Sequence, residues 1–188
     1  MQTNLHDYII LIKNFLDKDF CNETINQLEK INWKDHLFYN FVKNKNSKRS
    51  GYQELEVSND YVENKKIIME KLHKAIFQYI SNLNFPWFDS WAGYSDVRFN
   101  KYKKNKKMAK HCDHIFTLFD GTRRGIPILS CLGVLNENYS GGEFIILEKT
   151  IIPLKQGDLL IFPSNFMYPH KVTPVKKGTR YSFISWVY

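Results

Sequence analysis

Within Lys110-His111-Cys112-Asp113-His114, two side chains of metal-ligand type stand two residues apart. Side chains alternate faces along an extended strand, so His111 and Asp113 point one way while Cys112 and His114 point the other. One imidazole and one carboxylate do not hold a divalent ion without a third ligand. His170 is the best-placed candidate, because it follows the apolar run Asp158-Leu159-Leu160-Ile161-Phe162 and opens a new extended segment, Lys171-Val172-Thr173. Two imidazoles and a carboxylate on one face of an ion leave three positions open, the arrangement that suits non-haem Fe(II) oxygen chemistry. Zinc is the rival ion, since similar donors serve hydrolytic zinc sites. The chain has no His-Glu-x-x-His helix to supply the glutamate base of such a site, which favours iron.

A second group gives the spacing further meaning. The final segment, Arg180-Tyr181-Ser182-Phe183-Ile184-Ser185-Trp186-Val187, reads as a strand with Arg180, Ser182, Ile184 and Trp186 on one face. A guanidinium offers a planar fork of donors to a carboxylate, and a hydroxyl two residues on adds another. Arg180 and Ser182 therefore make a carboxylate pocket at the bottom of an otherwise apolar cavity.

Taken together, His111-x-Asp113, His170 and Arg180, with Gly141-Gly142-Glu143 between them and Thr173-Pro174-Val175-x-x-Gly178-x-Arg180 near the end, resemble the 2-oxoglutarate- and Fe(II)-dependent dioxygenases of the prolyl 4-hydroxylase-like branch. The likeness is carried by residues 94–188. It implies a mainly β fold, a double-stranded β-helix or jelly roll with supporting N-terminal helices. It also implies Fe(II), 2-oxoglutarate as co-substrate, O2 and ascorbate. In such a site His111, Asp113 and His170 hold the metal, and no further catalytic residue is implied. Arg180 takes the far carboxylate of 2-oxoglutarate with help from Ser182, Tyr102 donates to 2-oxoglutarate near the metal, and Trp186 walls the substrate pocket. The implied reaction hydroxylates a residue in a protein or peptide, most readily proline, and releases succinate and CO2.

The sequence departs from the family pattern at three places. Val134 stands where many relatives have a tyrosine beside the 2-oxoglutarate tail, and Asn105 and Met108 replace a usual glycine and aromatic before His-x-Asp. A nucleic-acid dealkylase of the same superfamily is the alternative that the lysines suggest, but those enzymes carry a second arginine six residues after the first, where this chain has Trp186. A non-catalytic module that senses iron or 2-oxoglutarate is the other alternative.

The elements that must position these residues read as one domain spanning 1–188, with helical support and a lid region over 1–93 and a jelly-roll core over 94–188. Residues 8–16 are an apolar, β-branched run and predict a buried strand. Asp17 or Asp19 can cap a helix over 20–31, and Asn59 or Asp60 starts a second helix to Leu83 with Ile67, Ile68, Leu72, Ile76, Tyr79 and Ile80 as its apolar stripe. Between them, 44–51 is a polar loop, which the resemblance places as a lid over the substrate. From Tyr94 onward, short apolar runs separated by Gly, Pro and Asn predict many short strands: 97–99, 126–135, 144–147, 151–154, 159–162, 172–173 and 181–188. There is no βαβ alternation and no glycine-rich phosphate loop.

Charge and cysteines bound the setting. The formal charge is +8, and the cluster Lys101, Lys103, Lys104, Lys106, Lys107 and Lys110 just before His111 predicts a basic rim that attracts anions. Cys21, Cys112 and Cys131 are too few and too uneven for a disulfide framework. With no signal-like start and no run long enough to span a bilayer, the sequence predicts a soluble, intracellular, cytoplasmic protein with no membrane partner.

Overall fold

The computed structural model describes residues 4–40, 45–48, 53–85, 88, 91–113 and 127–188. Among the described residues, fifteen short strands and two α-helices follow one another. After a 3-10 turn at Leu5–Tyr8 come β1 (Ile10–Ile12) and helix α1 (Lys18–Leu28). Then follow β2 (Lys34–Asp35), β3 (Phe38–Asn40), β4 (Lys45–Ser47), β5 (Glu56–Ser58) and helix α2 (Lys65–Leu83). The remainder is strand and turn: β6 (Arg98–Tyr102), β7 (Met108–His111), β8 (Leu129–Val134), β9 (Ser140–Gly141), β10 (Phe144–Ile146), β11 (Thr150–Ile152), β12 (Leu159–Pro163), β13 (His170–Val172), β14 (Val175–Lys177) and β15 (Arg180–Val187).

Two antiparallel sheets dominate. The major sheet has seven strands in the order β1-β12-β8-β15-β6-β5-β2, and the minor sheet has four in the order β11-β10-β13-β7. Every residue of β8 and β15 is buried, because these central strands are covered on both faces. One face of the major sheet, carrying Phe99, Cys131, Leu159, Ile161, Tyr181 and Phe183, packs on Cys21 and Leu28 of α1 and on Ile68, Leu72, Ile76 and Tyr79 of α2. The other face, carrying Tyr102, Leu132, Leu160, Phe162, Ile184 and Trp186, meets Met108, Phe144, Ile146 and Val172 of the minor sheet. This is the jelly roll that the strand pattern predicts, with the helices as a layer behind it. The period of two sorts each strand's residues between helix-side core and site-side core.

Both helices begin later or end sooner than their sequence signals. Asp17 caps α1, its Oδ1 accepting from the Phe20 amide at 2.8 Å, but the helix stops at Leu28 and not at Ile31. Helix α2 starts at Lys65, because Asp60 is engaged elsewhere, accepting the Asn32 amide at 3.3 Å. Ile67 of the predicted stripe is 44% exposed. The run 8–16 is a correction: it yields only the three-residue edge strand β1, with Ile10 exposed, and a turn in which Asn14 has φ +53. The loop expected at 44–51 is also corrected in part, since Lys45–Ser47 pairs with Phe38–Asn40 as a hairpin, while 44 and 49–51 lie outside the described residues.

Candidate active site

Strand pairing brings the predicted ligands together. His170 on β13 is the direct cross-strand partner of His111 on β7, and their ring centroids are 4.4 Å apart. Asp113 lies two residues beyond His111, just past the end of β7, and keeps the strand's alternation. Its Oδ1 is 3.3 Å from His111 Nε2 and its Oδ2 is 3.8 Å from His170 Nε2. Ligand atoms of all three residues lie within 4.8 Å of one another. His114 lies outside the described residues.

The surroundings prepare these side chains as metal ligands. Nδ1 of His111 donates to the Ala109 carbonyl at 2.8 Å, and Nδ1 of His170 donates to the Tyr168 carbonyl at 3.1 Å. With the proton fixed on Nδ1, each ring presents the Nε2 lone pair to the centre, the usual device for orienting a metal-binding imidazole. Burial is the main influence on His170 and lowers its pKa to about 4, although the Asp113 charge opposes this. Burial alone would raise the Asp113 carboxyl. It is outweighed by His170, by the hydrogen bond and charge of His111, and by Ser130, which together hold it well below the usual carboxylate range. Neutral imidazoles and an ionised carboxylate are the forms a divalent cation binds.

Ser130 and Ser164 form a support that the sequence reading misses. The Ser130 hydroxyl donates to Asp113 Oδ2 at 2.6 Å, so in its 2.8 Å contact with Ser164 it accepts. Both serines are buried. The sequence signal was a serine inside the apolar strand Leu129-Ser130-Cys131-Leu132, on the face that β8 turns toward the minor sheet.

The carboxylate pocket is equally built. Arg180 is 1% exposed, its Nη1 donates to Ser182 Oγ at 2.9 Å, and its Nε has no acceptor among the described residues. The guanidinium lies 5.0 Å from the ring centroid of Tyr102, its cross-strand partner on β6. Tyr102 lines the cavity that also contains His111, Asp113 and His170, so it links the arginine to the metal ligands. Trp186, Ile184, Leu132, Phe144 and Phe162 make the apolar walls. The residues fit the group they imply: three converging ligand side chains, and a buried guanidinium whose Nε has no acceptor among the described residues.

Two further cavity residues, Arg98 and Asn100, were missed, although a charge in Val97-Arg98-Phe99 is unusual in a buried strand. Met108 lines the same cavity, and Asn105 takes φ +67, the left-handed turn that a glycine would adopt there. Val134 is fully buried opposite Ser182. The lysine rim is partly neutralised, because Lys101 pairs with Glu29, Lys103 with Glu56 and Lys110 with Glu148.

A buried His-x-Asp…His face inside a double-stranded β-helix is the donor arrangement of a facial-triad metal site. Residues 97–188 match the family model described as the 2OG-Fe(II) oxygenase superfamily. Over those residues the chain is similar to that superfamily. A PKHD-type hydroxylase of Idiomarina loihiensis is 34% identical over 94 residues, covering 48% of this chain and 41% of that protein. A PKHD-type hydroxylase of Hyphomonas neptunium is 26% identical over 190 residues, covering 95% of this chain and 77% of that one. The chain thus spans less than half of the first relative's length. Among solved structures, a viral collagen prolyl hydroxylase from Paramecium Bursaria Chlorella virus-1, in its 2OG complex, superposes with TM-score 0.68 at 19% identity, over 96% of this chain and 94% of that one. A prolyl hydroxylase from Trichoplax adhaerens, bound to a hypoxia inducible factor peptide, gives TM-score 0.67 at 18% identity, over 96% and 83%. At these identities the likeness is one of fold.

Proposed function

We propose that this protein is an Fe(II)- and 2-oxoglutarate-dependent dioxygenase that hydroxylates a peptidyl residue, prolyl 4-hydroxylase-like in its reaction. The observation that carries this reading is the convergence of His111, Asp113 and His170 in one cavity whose wall residue Tyr102 lies against the buried Arg180. In the overall reaction one oxygen atom of O2 enters the substrate C–H bond and the other enters succinate as CO2 leaves. Bound Fe(II) supplies the oxygen chemistry.

The chain's own residues have separate tasks. His111 and His170 offer Nε2 lone pairs, and Asp113 offers a carboxylate that Ser130 orients. Arg180 receives the far carboxylate of 2-oxoglutarate through the donors left after Ser182 is served. Ser182 keeps its own proton and adds a donor to the same anion. Tyr102, its phenol kept neutral by burial, donates near the metal end. Phe144, Phe162, Ile184 and Trp186 exclude water, which strengthens each of these electrostatic contacts.

PKHD-type hydroxylase relatives and a peptide-bound prolyl hydroxylase neighbour support a protein or peptide substrate, with proline as the first residue to test. The pairing of Lys101, Lys103 and Lys110 with glutamates weakens the argument for nucleic acid. Cys21 and Cys131 are buried, unpaired thiols, which supports a reducing, intracellular setting. No helix among the described residues is long and apolar enough to cross a membrane.

The test is succinate formation by the purified protein with Fe(II), ascorbate, O2 and 2-oxoglutarate, with and without proline-rich peptides. Peptide-stimulated succinate together with a gain of one oxygen in the peptide is expected. Binding of metal and 2-oxoglutarate without any succinate would replace this reading with the sensor alternative.

A further inference from the structure

Arg98 stands in the cavity of the metal ligands and has no task in the reaction described above. It lies on β6, on the face shared by Asn100 and Tyr102, opposite Ile184 of β15. Its Nε donates to Asn100 Oδ1 at 3.3 Å, and its guanidinium sits 4.9 Å from the ring centroid of Trp186. Among the described residues, no hydrogen bond takes its two terminal nitrogens. Trp186, stacked against it, is 7% exposed, and its indole N–H also has no acceptor. Two unmatched donors therefore meet on one wall. The buried indole N–H needs a partner that the described residues do not supply, and the half-buried guanidinium beside it has donors to share.

Charge leads to the same partner. Among the described residues, Asp113 is the only carboxylate lining the cavity, and it is engaged by the imidazoles and Ser130. A divalent cation and a dianionic co-substrate, with Asp113 and Arg180, form a neutral set. Arg98 is then a surplus, half-buried cation in the wall of the cavity, and a carboxylate that joins it balances that charge. Burial already lowers its pKa from the ordinary arginine value, in spite of the nearby Tyr102 and Asp113.

We propose that Arg98, with the Trp186 N–H beside it, anchors a carboxylate of the substrate, so that this protein acts on molecules carrying a carboxylate close to the carbon that is hydroxylated. The inference deepens the dioxygenase reading and rests on it. The carboxylate has two sources of the same chemistry: an acidic side chain next to the target residue in a peptide, or the α-carboxylate of a free amino acid. Arg is suited to either, because its fork holds both oxygens at once.

The experiment is calorimetric titration of the full chain, loaded with Mn(II) and 2-oxoglutarate, with two matched pairs of probes. One pair is a capped Asp-Pro peptide and its Asn-Pro counterpart; the other is free L-proline and L-prolinamide. At least one carboxylate probe is expected to bind about tenfold or more tightly than its amide partner, the size of a charge-assisted contact. In Arg98→Met that preference falls to within about twofold, and Arg98→Lys, which keeps charge but not the fork, retains part of it. Preference within the peptide pair assigns an acidic peptide, and preference within the proline pair assigns a free amino acid. Equal binding within both pairs, including no binding, overturns the proposal, as does a preference that survives in Arg98→Met. Succinate release by the wild-type protein without probe tests the dioxygenase reading separately. Succinate without carboxylate preference removes only the anchor, whereas preference without succinate removes only the dioxygenase.

Discussion

At the scale of single residues, the site is set by who holds which proton. Arg180 and the triad act on different ligands, so their substitutions separate. Arg180→Ala is expected to raise the KM for 2-oxoglutarate by roughly 10–100-fold, the loss of charge-assisted hydrogen bonds, while Mn(II) affinity measured by calorimetry stays close to wild type. Asp113→Ala is expected to abolish metal binding and turnover together; normal turnover in that variant would remove the metal assignment. His170 also makes the metal-free protein pH-sensitive. Its folded pKa of about 4 lies below the ordinary 6.5, so between those values the unfolded chain takes up a proton that the folded protein refuses. Stability of the EDTA-treated protein is therefore fully present above about pH 6.5. It declines as pH falls toward 4, by at most about 3 kcal/mol, and then levels off. Denaturant midpoints at pH 7.5 and 4.5 check this, and His170→Gln should flatten the difference.

At the scale of elements, the register does the positioning. His111 and His170 converge because β7 and β13 pair them directly, and Ser130 reaches Asp113 from β8 of the opposing sheet. The helix-side packing of β8 is as exacting. A Cβ at Gly133 would lie 2.0 Å from the Phe183 ring, so that side chain, fully buried between sheet and helices, would have to move. Gly133→Ala is expected to cost about 3 kcal/mol through overpacking. For a chain of this size each kcal/mol lowers Tm by roughly 2–4 °C, which a thermal melt would read directly. The helix-side location predicts that the surviving folded fraction binds Mn(II) normally.

At the scale of the whole molecule, the cavity couples both sheets, so a bound cation should stabilise the entire fold. Mn(II) at a free concentration of 100 Kd is expected to add about 2.7 kcal/mol to unfolding, seen as a raised Tm that His111→Ala abolishes. An unchanged Tm in wild type would mean that the triad residues do not close on an ion.

Much of this organisation was legible along the chain. His111, Asp113, His170 and Arg180 are short-range chemistry, readable because ligand types at a strand spacing of two, and a lone arginine in an apolar strand, have few structural uses. The jelly roll followed from many short apolar runs without helical alternation. What the chain order could not give is which runs pair and which faces meet. The edge position of β1 shortened a run that reads as a buried strand, because burial depends on neighbours and not on hydropathy. Ser130 became a partner of Asp113, and Ser164 of Ser130, only in the folded arrangement of the strands. Arg98 sits within the short run 97–99, and nothing along the chain marks its place against Trp186 in the cavity. Residue type and local spacing thus determined the chemistry available to this protein, and long-range strand register alone decided which charges and hydroxyls share one desolvated space, since pairing across tens of residues leaves no periodic mark in the sequence.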